Sequence, residues 1–510
     1  MFAHVSRLAR SIALVAAMLL IQSESAFLVP GANARGEGAP RAFAAENSAL
    51  PPVSSAMDAN PYPYNLFLPL IFNQFPFQTV FGAGMGDLNA SSGFNKMVQA
   101  GLYLARADDR VSWADVEPVE GTRNWNVLAT LAQGWQTASS LGIQPIAVVR
   151  VTPSWAQKVP GYACGPIATN KLSSFASFMH DLVARYSVPP YNVKYWEIWN
   201  EPDIDYHLVG PTSDWGCWGD QTDAYYGGGY YATMLKAVYP QIKAADTQAQ
   251  VLVGGLLLDC DPRGSPSPCA TVHPGDPLAA RPPMFLEGIL RNGGAPYFDG
   301  ISFHSYDFYQ GPSGQYSNPN WQSAWNTTGP DITAKAEFIK SLLNTYHVSG
   351  KFLMNTESGI ICDTCSSDPT FETTKAYYVA QAYAVAIAEG LRANLWYSVL
   401  GWRNSGLLNP DLSTRPAYTA FQVSHRELLA STLVGVLTPS DIGGSTAVKG
   451  YKFNRGDRRI WVVWSLDGSP HLITPNLGAP LAVVDALGNA VTPAGTLTVN
   501  LNPFYLEWGP

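Results

Sequence analysis

Two apolar periodicities alternate along the first four-fifths of the chain. Short runs rich in β-branched and aromatic residues recur at Thr79–Gly84, Gly101–Arg106, Gln144–Arg150, Tyr195–Trp199, Gln250–Leu258, Phe298–Tyr306, Lys351–Gly359 and Ala393–Leu400, and each predicts a strand. Between them Trp125–Leu141, Lys171–Tyr186, Tyr230–Ala245, Asp331–Tyr346 and Thr374–Gly390 predict helices, and Tyr418–Ala430 closes the series. In Lys171–Tyr186, for example, Leu172, Phe175, Phe178, Met179 and Leu182 share one face. Strands alternating with helices imply parallel βα units, so residues 59–430 are expected to form a (β/α)8 TIM barrel.

The period changes near Ser431. Val448–Phe453, Arg459–Trp464, His471–Thr474, Leu481–Asp485, Gly495–Leu501 and Pro503–Trp508 are short alternating runs punctuated by Gly, Asp, Asn and Pro, which predicts a β-sandwich domain over 431–510. Its Tyr451, Trp461 and Trp464 suit either its core or a carbohydrate surface.

The amino terminus has a different character. Arg7 and Arg10 precede an apolar run from Ile12 to Ile21, too short to span a bilayer and long enough for a signal peptide. Residues 1–34 are read as that signal, with small residues at both Ser23-Glu24-Ser25 and Ala32-Asn33-Ala34 for cleavage; a retained anchor is the rival. Residues 35–58, rich in Ala, Gly, Ser and Pro, read as a disordered linker. Six cysteines fit the oxidising compartment to which such a signal leads. Cys164 with Cys217, Cys260 with Cys269 and Cys362 with Cys365 form local staples, among fifteen connectivities. The Cys362-x-x-Cys365 spacing also occurs in redox and zinc motifs, but no second Cys or His pair stands at ligand spacing. A secreted or extracytoplasmic protein, free of the membrane once its signal is removed, is expected.

Composition narrows the partners. At 510 residues, 46% hydrophobic and 14% charged, the chain can bury one large core and a smaller one. A formal charge of −8 argues against nucleic acid, whose phosphates demand a basic face. Fifteen Trp and 25 Tyr supply flat apolar rings on which sugars stack, although a large aromatic core uses them equally well.

The candidate chemistry lies at two strand ends. In Tyr195-Trp196-Glu197-Ile198-Trp199-Asn200-Glu201-Pro202-Asp203 the strand must stop at Pro202, which leaves Asn200 and Glu201 at its carboxyl tip, the catalytic side of a barrel. Among Tyr195, Trp196 and Trp199 a carboxyl group is partly desolvated, which favours the protonated form a general acid needs. A second apolar strand, Lys351-Phe352-Leu353-Met354-Asn355-Thr356-Glu357, ends in another glutamate 156 residues downstream. Units of about 30 residues place several strands between the two, which suits facing positions across the barrel mouth.

Trp-Asn-Glu-Pro followed downstream by a strand ending in Glu resembles the retaining glycoside hydrolases of clan A, and the wording Glu-Ile-Trp-Asn-Glu-Pro-Asp looks most like family 39, with family 5 and its relatives next. The resemblance implies Glu201 as acid/base, Glu357 as nucleophile, a carbohydrate substrate, and no metal or organic cofactor. It implies an arginine beside the nucleophile, for which Arg106 is the candidate and Arg110 the alternative; a cation there keeps Glu357 ionised. His304 and Tyr306, on one face of their strand with Ser302, match residues that hold the nucleophile or the sugar. Trp402 matches a tryptophan floor of the sugar site, Asn200 is placed to hold the 2-hydroxyl, and Trp155 is read as a subsite wall. A transglycosylase using the same residues and a catalytically silent glycan-binding barrel are the rivals. Neither the sugar nor the linkage is legible.

Overall fold

Eight strands close on themselves in the computed structural model, which describes residues 79–510 apart from 212, 214, 265–266, 273–280 and 322–328. The expected signal peptide and linker, and the barrel domain before residue 79, lie outside the described residues. The strands are β1 (Phe81–Met85), β2 (Leu104–Ala107), β3 (Gln144–Arg150), β4 (Tyr195–Asn200), β5 (Gln250–Leu256), β6 (Gly300–Tyr309), β7 (Phe352–Ile361) and β8 (Ala393–Trp396). Each pairs in parallel with the next, and β8 returns to β1 through Phe81↔Asn394, Gly82↔Leu395 and Ala83↔Trp396. This is the expected barrel. Its interior is plugged by Leu104, Ile146, Leu252, Met354, Ala393 and Leu395, so polar groups are confined to the layer above them.

Among the described residues, eight α-helices of six residues or more cover the outside: α1 (Phe94–Gln99), α2 (Ala129–Ser140), α3 (Leu172–Tyr186), α4 (Gly228–Ala245), α5 (Arg281–Arg291), α6 (Ile332–Thr345), α7 (Pro369–Ala388) and α8 (Pro416–Leu428). On α3 the five residues of the expected face are all buried. Two helices have no counterpart in the sequence reading. At six residues, α1 is too short to show a period. In α5, Pro282 and Pro283 fall in the first turn, where no N–H donor is needed, so they start a helix instead of ending a loop. For the same reason α7 begins five residues before Thr374, with Asp368 capping the Thr370 N–H and Pro369 in the first turn.

Strands β6 and β7 outrun the rest. Their pairing continues from His304↔Glu357 to Phe308↔Ile361, and a two-residue strand, Tyr316–Ser317, pairs with the end of β6. One wall of the mouth is thereby a rigid ribbon.

The carboxyl-terminal domain is a five-stranded antiparallel sheet of β9 (Thr432–Val436), β10 (Val448–Arg455), β11 (Arg458–Ser465), β13 (Ala482–Asp485) and β15 (Phe504–Trp508), ordered β9-β10-β11-β15-β13. A two-stranded sheet, β12 (His471–Ile473) with β14 (Leu497–Val499), faces it. One side of the larger sheet, through Tyr451, Phe453, Ile460, Val462, Trp464 and Tyr505, joins the barrel's own core, and the Tyr505 hydroxyl meets Ser424 Oγ of α8 at 2.8 Å. The other side, through Trp461, Val463, Val483, Leu506 and Trp508, packs on Ile473, Leu497 and Val499 of the small sheet. Tyr451, Trp461 and Trp464 are therefore core, the first of the two roles open to them in the sequence. Strand β9, whose Thr-Leu-Val-Gly-Val does not alternate, is an edge the pattern did not reveal.

Three disulfides are present, Cys164–Cys217, Cys260–Cys269 and Cys362–Cys365, the local pairing expected. Among the described residues no helix is long and apolar enough to cross a membrane.

Candidate active site

The tip of β4 is built under strain. Trp199 and Glu201 adopt left-handed φ values of 77° and 46°, which cost non-glycine residues free energy unless neighbours enforce them. The neighbours are on both sides. Trp199 Nε1 donates to the Cys164 carbonyl at 2.9 Å, and the Glu201 N–H donates to the Gly255 carbonyl at 2.9 Å. The Gly216 N–H donates to the Asn200 carbonyl, where a β-carbon on residue 216 would stand 2.5 Å from that same oxygen. Because Cys217 is bonded to Cys164, the loop after β4 is clamped over the strand tip.

Arg106, buried on β2, organises the floor. Nη1 donates to Glu357 Oε1 at 2.7 Å, Nη2 to Asn200 Oδ1 at 2.6 Å and Nε to Glu197 Oε2 at 2.8 Å. Glu197, fully buried on β4, also accepts from Ser302 Oγ at 2.6 Å and Thr356 Oγ1 at 2.8 Å. Burial alone would lower the Arg106 pKa, but Glu197 and Glu357 outweigh it and drive it upward, so the guanidinium is a fixed cation. Of the two arginines considered, Arg106 is the one that reaches the glutamates; Arg110 lies beyond β2, its own N–H bonded to Asp109 Oδ1.

Alternate residues of β6 then address the centre in turn. His304 Nδ1 lies 2.9 Å from Glu201 Oε1 and 3.5 Å from Glu357 Oε2. The Tyr306 hydroxyl donates to Glu357 Oε2. Burial favours a neutral imidazole, yet the two glutamates overcome it and raise the His304 pKa. Burial would likewise raise the Glu357 pKa, but His304, Arg106 and the Tyr306 hydroxyl together bring it below the ordinary carboxylate value. Burial, reinforced by Glu357, holds the Tyr306 phenol far above its usual pKa and hence as a hydrogen-bond donor. Behind the strand, the buried Lys335 donates to the His304 and Leu257 carbonyls at 2.7 and 2.8 Å, which anchors the tips of β5 and β6.

Trp402 is half-buried at the cleft wall, its ring 5.3 Å from Tyr306 and 6.0 Å from Tyr397. Trp155 stands elsewhere: it packs edge-on against Trp113 at 5.1 Å and donates its indole N–H to the Glu117 carbonyl at 3.0 Å. The structure thus gathers Glu201, Glu357, Asn200, Arg106, His304, Tyr306 and Trp402 at one mouth and sets Trp155 in a separate aromatic cluster. Glu197 went unassigned in the sequence, although a charge in the middle of an aromatic strand is a signal. Asp203 is a second omission: burial pushes its pKa up to about 7 despite hydrogen bonds from the Leu257 and Leu258 N–H groups at 2.9 and 2.8 Å.

Among the described residues, one group has a spacing that could hold a metal ion. Glu201, His304 and Glu357 each present one ligand atom within 4.8 Å of the others. The guanidinium of Arg106 already occupies Glu357 Oε1, and a cation set between the glutamates would face it. The same closeness of two carboxylates, one held ionised by a fixed cation and the other paired with an imidazole, suits nucleophilic attack coupled to proton transfer.

No family model matches the chain, and no curated protein matches it. Solved structures do. A family 39 glycoside hydrolase from Bacteroides cellulosilyticus WH2 superposes with a TM-score of 0.61 at 18% identity, covering 85% of this chain and 81% of that one. A family 30 endoxylanase from Clostridium papyrosolvens C71 gives 0.55 at 13% identity, over 85% and 97% of the two chains. The catalytic domain of a family 30 xylanase C from Talaromyces cellulolyticus gives 0.54 at 13%, over 84% and 97%. At such identities the likeness is one of fold, and the chain has the barrel and carboxyl-terminal sheet domain on which these glycoside hydrolases are built.

Proposed function

We propose that the protein is a secreted retaining glycoside hydrolase in which Glu357 is the nucleophile and Glu201 the acid/base. The observation that carries this reading is the separation of the two carboxylates. One oxygen of Glu201 and one of Glu357 lie within 4.8 Å of each other, a closeness that favours direct attack on carbon, usual for carboxyl groups about 5 to 5.5 Å apart, over the gap of roughly 6.5 to 9.5 Å at which inverting enzymes seat a water.

In the first step Glu357 attacks the anomeric carbon while the glycosidic C–O bond breaks, and Glu201 gives its proton to the departing oxygen. In the second, water attacks the same carbon, Glu201 takes the water's proton, and Glu357 leaves with the bonding pair. Arg106 and Tyr306, which each bond one oxygen of Glu357, keep it a carboxylate and aim it. Asn200, fixed by Arg106 Nη2, is the donor for the sugar 2-hydroxyl. Trp402 offers the apolar ring against which the sugar lies. The three disulfides suit export.

Azide rescue separates the roles. The Glu357→Ala variant should be inactive on an aryl glycoside and, with azide, yield a glycosyl azide of inverted anomeric configuration; Glu201→Ala with azide should yield the retained anomer. Full turnover by both variants, or inverted products from the wild type by NMR, defeats the proposal.

A further inference from the structure

At the mouth of the barrel stands a carboxylate that the mechanism leaves unused. Asp108 is the first residue after β2, two on from Arg106. Its backbone N–H is fixed to the Met85 carbonyl at 2.8 Å, at the end of β1. Its side chain is exposed, yet enough protein surrounds it that burial is the largest cause of a pKa pushed up to about 6, with Glu357 adding to the rise and Arg106 opposing it. It borders the wall of the mouth in which Arg106 holds Glu357.

The wall has a defined make-up. Tyr397, just past the carboxyl end of β8, stands beside the Asp108 carboxylate and opposes the rise in its pKa. Its ring stands 6.4 Å from Tyr306 and 6.0 Å from Trp402, and Tyr306 bonds the nucleophile. Gly84 makes room for it, since a β-carbon there would stand 2.8 Å from the Tyr397 ring. One tyrosine thus links Asp108 to the sugar-sized space above Glu357. A carboxylate has about four acceptor sites, and a single phenol leaves the rest for hydroxyl groups.

We propose that Asp108 selects the sugar ring: its carboxylate accepts hydrogen bonds from hydroxyls remote from the anomeric carbon of a neutral glycone seated on Trp402, and it turns away uronates. The charges around it support this. Glu357 and Asp87 lie near it, while the nearby cations are already spent: Arg106 on Glu197, Glu357 and Asn200, and Arg403, 5.3 Å from the Trp402 ring, on both oxygens of Asp363. A carboxylate on the substrate would meet like charge, whereas a hydroxyl would meet an acceptor.

This inference rests on the glycosidase reading, and the test separates the two. Wild type, Asp108→Asn and Glu357→Gln are assayed on aryl glycosides of neutral pentoses and hexoses, the matching uronides, and 3-deoxy and 4-deoxy analogues, with folding checked by Tm. The wild type should cleave a neutral glycoside at least 100-fold better than its uronide. Asp108→Asn should lower kcat/KM on the neutral glycoside by about 100-fold but by less than tenfold on the analogue that lacks the bound hydroxyl. Preference for uronides, or an equal loss on normal and deoxy substrates, overturns the role of Asp108 and leaves the glycosidase standing. No cleavage of any glycoside, or full activity of Glu357→Gln, overturns the glycosidase reading and this inference with it.

Discussion

Gly255 and His304 are matched in shape: a β-carbon on Gly255 would lie 2.1 Å from His304 Nε2, on the buried side of the ring. The imidazole keeps its place between Glu201 and Glu357 because the neighbouring strand has no side chain there. Gly255→Ala is expected to displace His304 and lower kcat by roughly 10²-fold or more, as a misplaced group does when geometry fails by an ångström. A fold-intact variant with unchanged kcat would separate His304 from the chemistry.

Arg106 lowers the pKa of Glu357, so its loss must raise it. In Arg106→Lys the fork is gone while the charge stays, and kcat/KM should fall about 10²-fold. In Arg106→Gln the cation itself is gone: more Glu357 is protonated at any acid pH, and the acidic limb of the kcat/KM profile moves to higher pH. That variant also strands the buried Glu197, at a cost of about 3 to 5 kcal/mol in thermal unfolding. An acidic limb that stays in place, or moves down, contradicts the assignment.

Tyr306→Phe removes one hydrogen bond from Glu357 and little volume. Because the bond goes to a charged acceptor, a loss of about 1.5 to 3 kcal/mol in transition-state stabilisation is expected, or roughly 10- to 100-fold in kcat, and the acidic limb should again rise. Pre-steady-state kinetics will locate the loss in the step that forms the glycosyl-enzyme.

The Cys164–Cys217 bond spans 53 residues and holds the strained tip of β4 through the Trp199–Cys164 contact. Replacing both cysteines with serine should cost about 4 kcal/mol by chain entropy. It should also lower kcat, because Glu201 loses the clamp that enforces its backbone. Calorimetry and steady-state kinetics on the one variant read both effects.

Trp464 is fully buried where the sheet domain meets the barrel. Trp464→Ala should destabilise the protein by about 3 to 5 kcal/mol and leave KM for an aryl glycoside unchanged at a temperature where the fold persists.

The legible parts of this molecule were those with local signatures. Glu201 stands just past an apolar strand, and β6 alternates Ser302, His304 and Tyr306, so their placement could be read from spacing alone; Glu357, expected to end its strand, lies inside β7, which runs on to Ile361. Arg106 and Arg110 could not be told apart, because what distinguishes them is a set of acceptors 91 to 251 residues away. Trp155 looked like a wall because it follows a strand; its partner Trp113 comes from another segment, and that contact has no trace in either sequence neighbourhood. The starts of α5 and α7 were not legible because their first turns hold Pro282, Pro283 and Pro369, residues as common in loops as at the first positions of helices. Asp108 and Glu197 stayed in the background since an isolated acid gains meaning only from what the closed barrel brings opposite it.

The larger sheet of the carboxyl-terminal domain is apolar on both sides, one merged with the barrel core and the other with the small sheet. The two halves of the chain are therefore not detachable parts. A version ending at residue 430 would bare the helices that Tyr451, Trp464 and Tyr505 cover, and would precipitate or recruit chaperones instead of working as a minimal enzyme. Any engineered fusion should extend past Pro510 and leave the junction after α8 uncut.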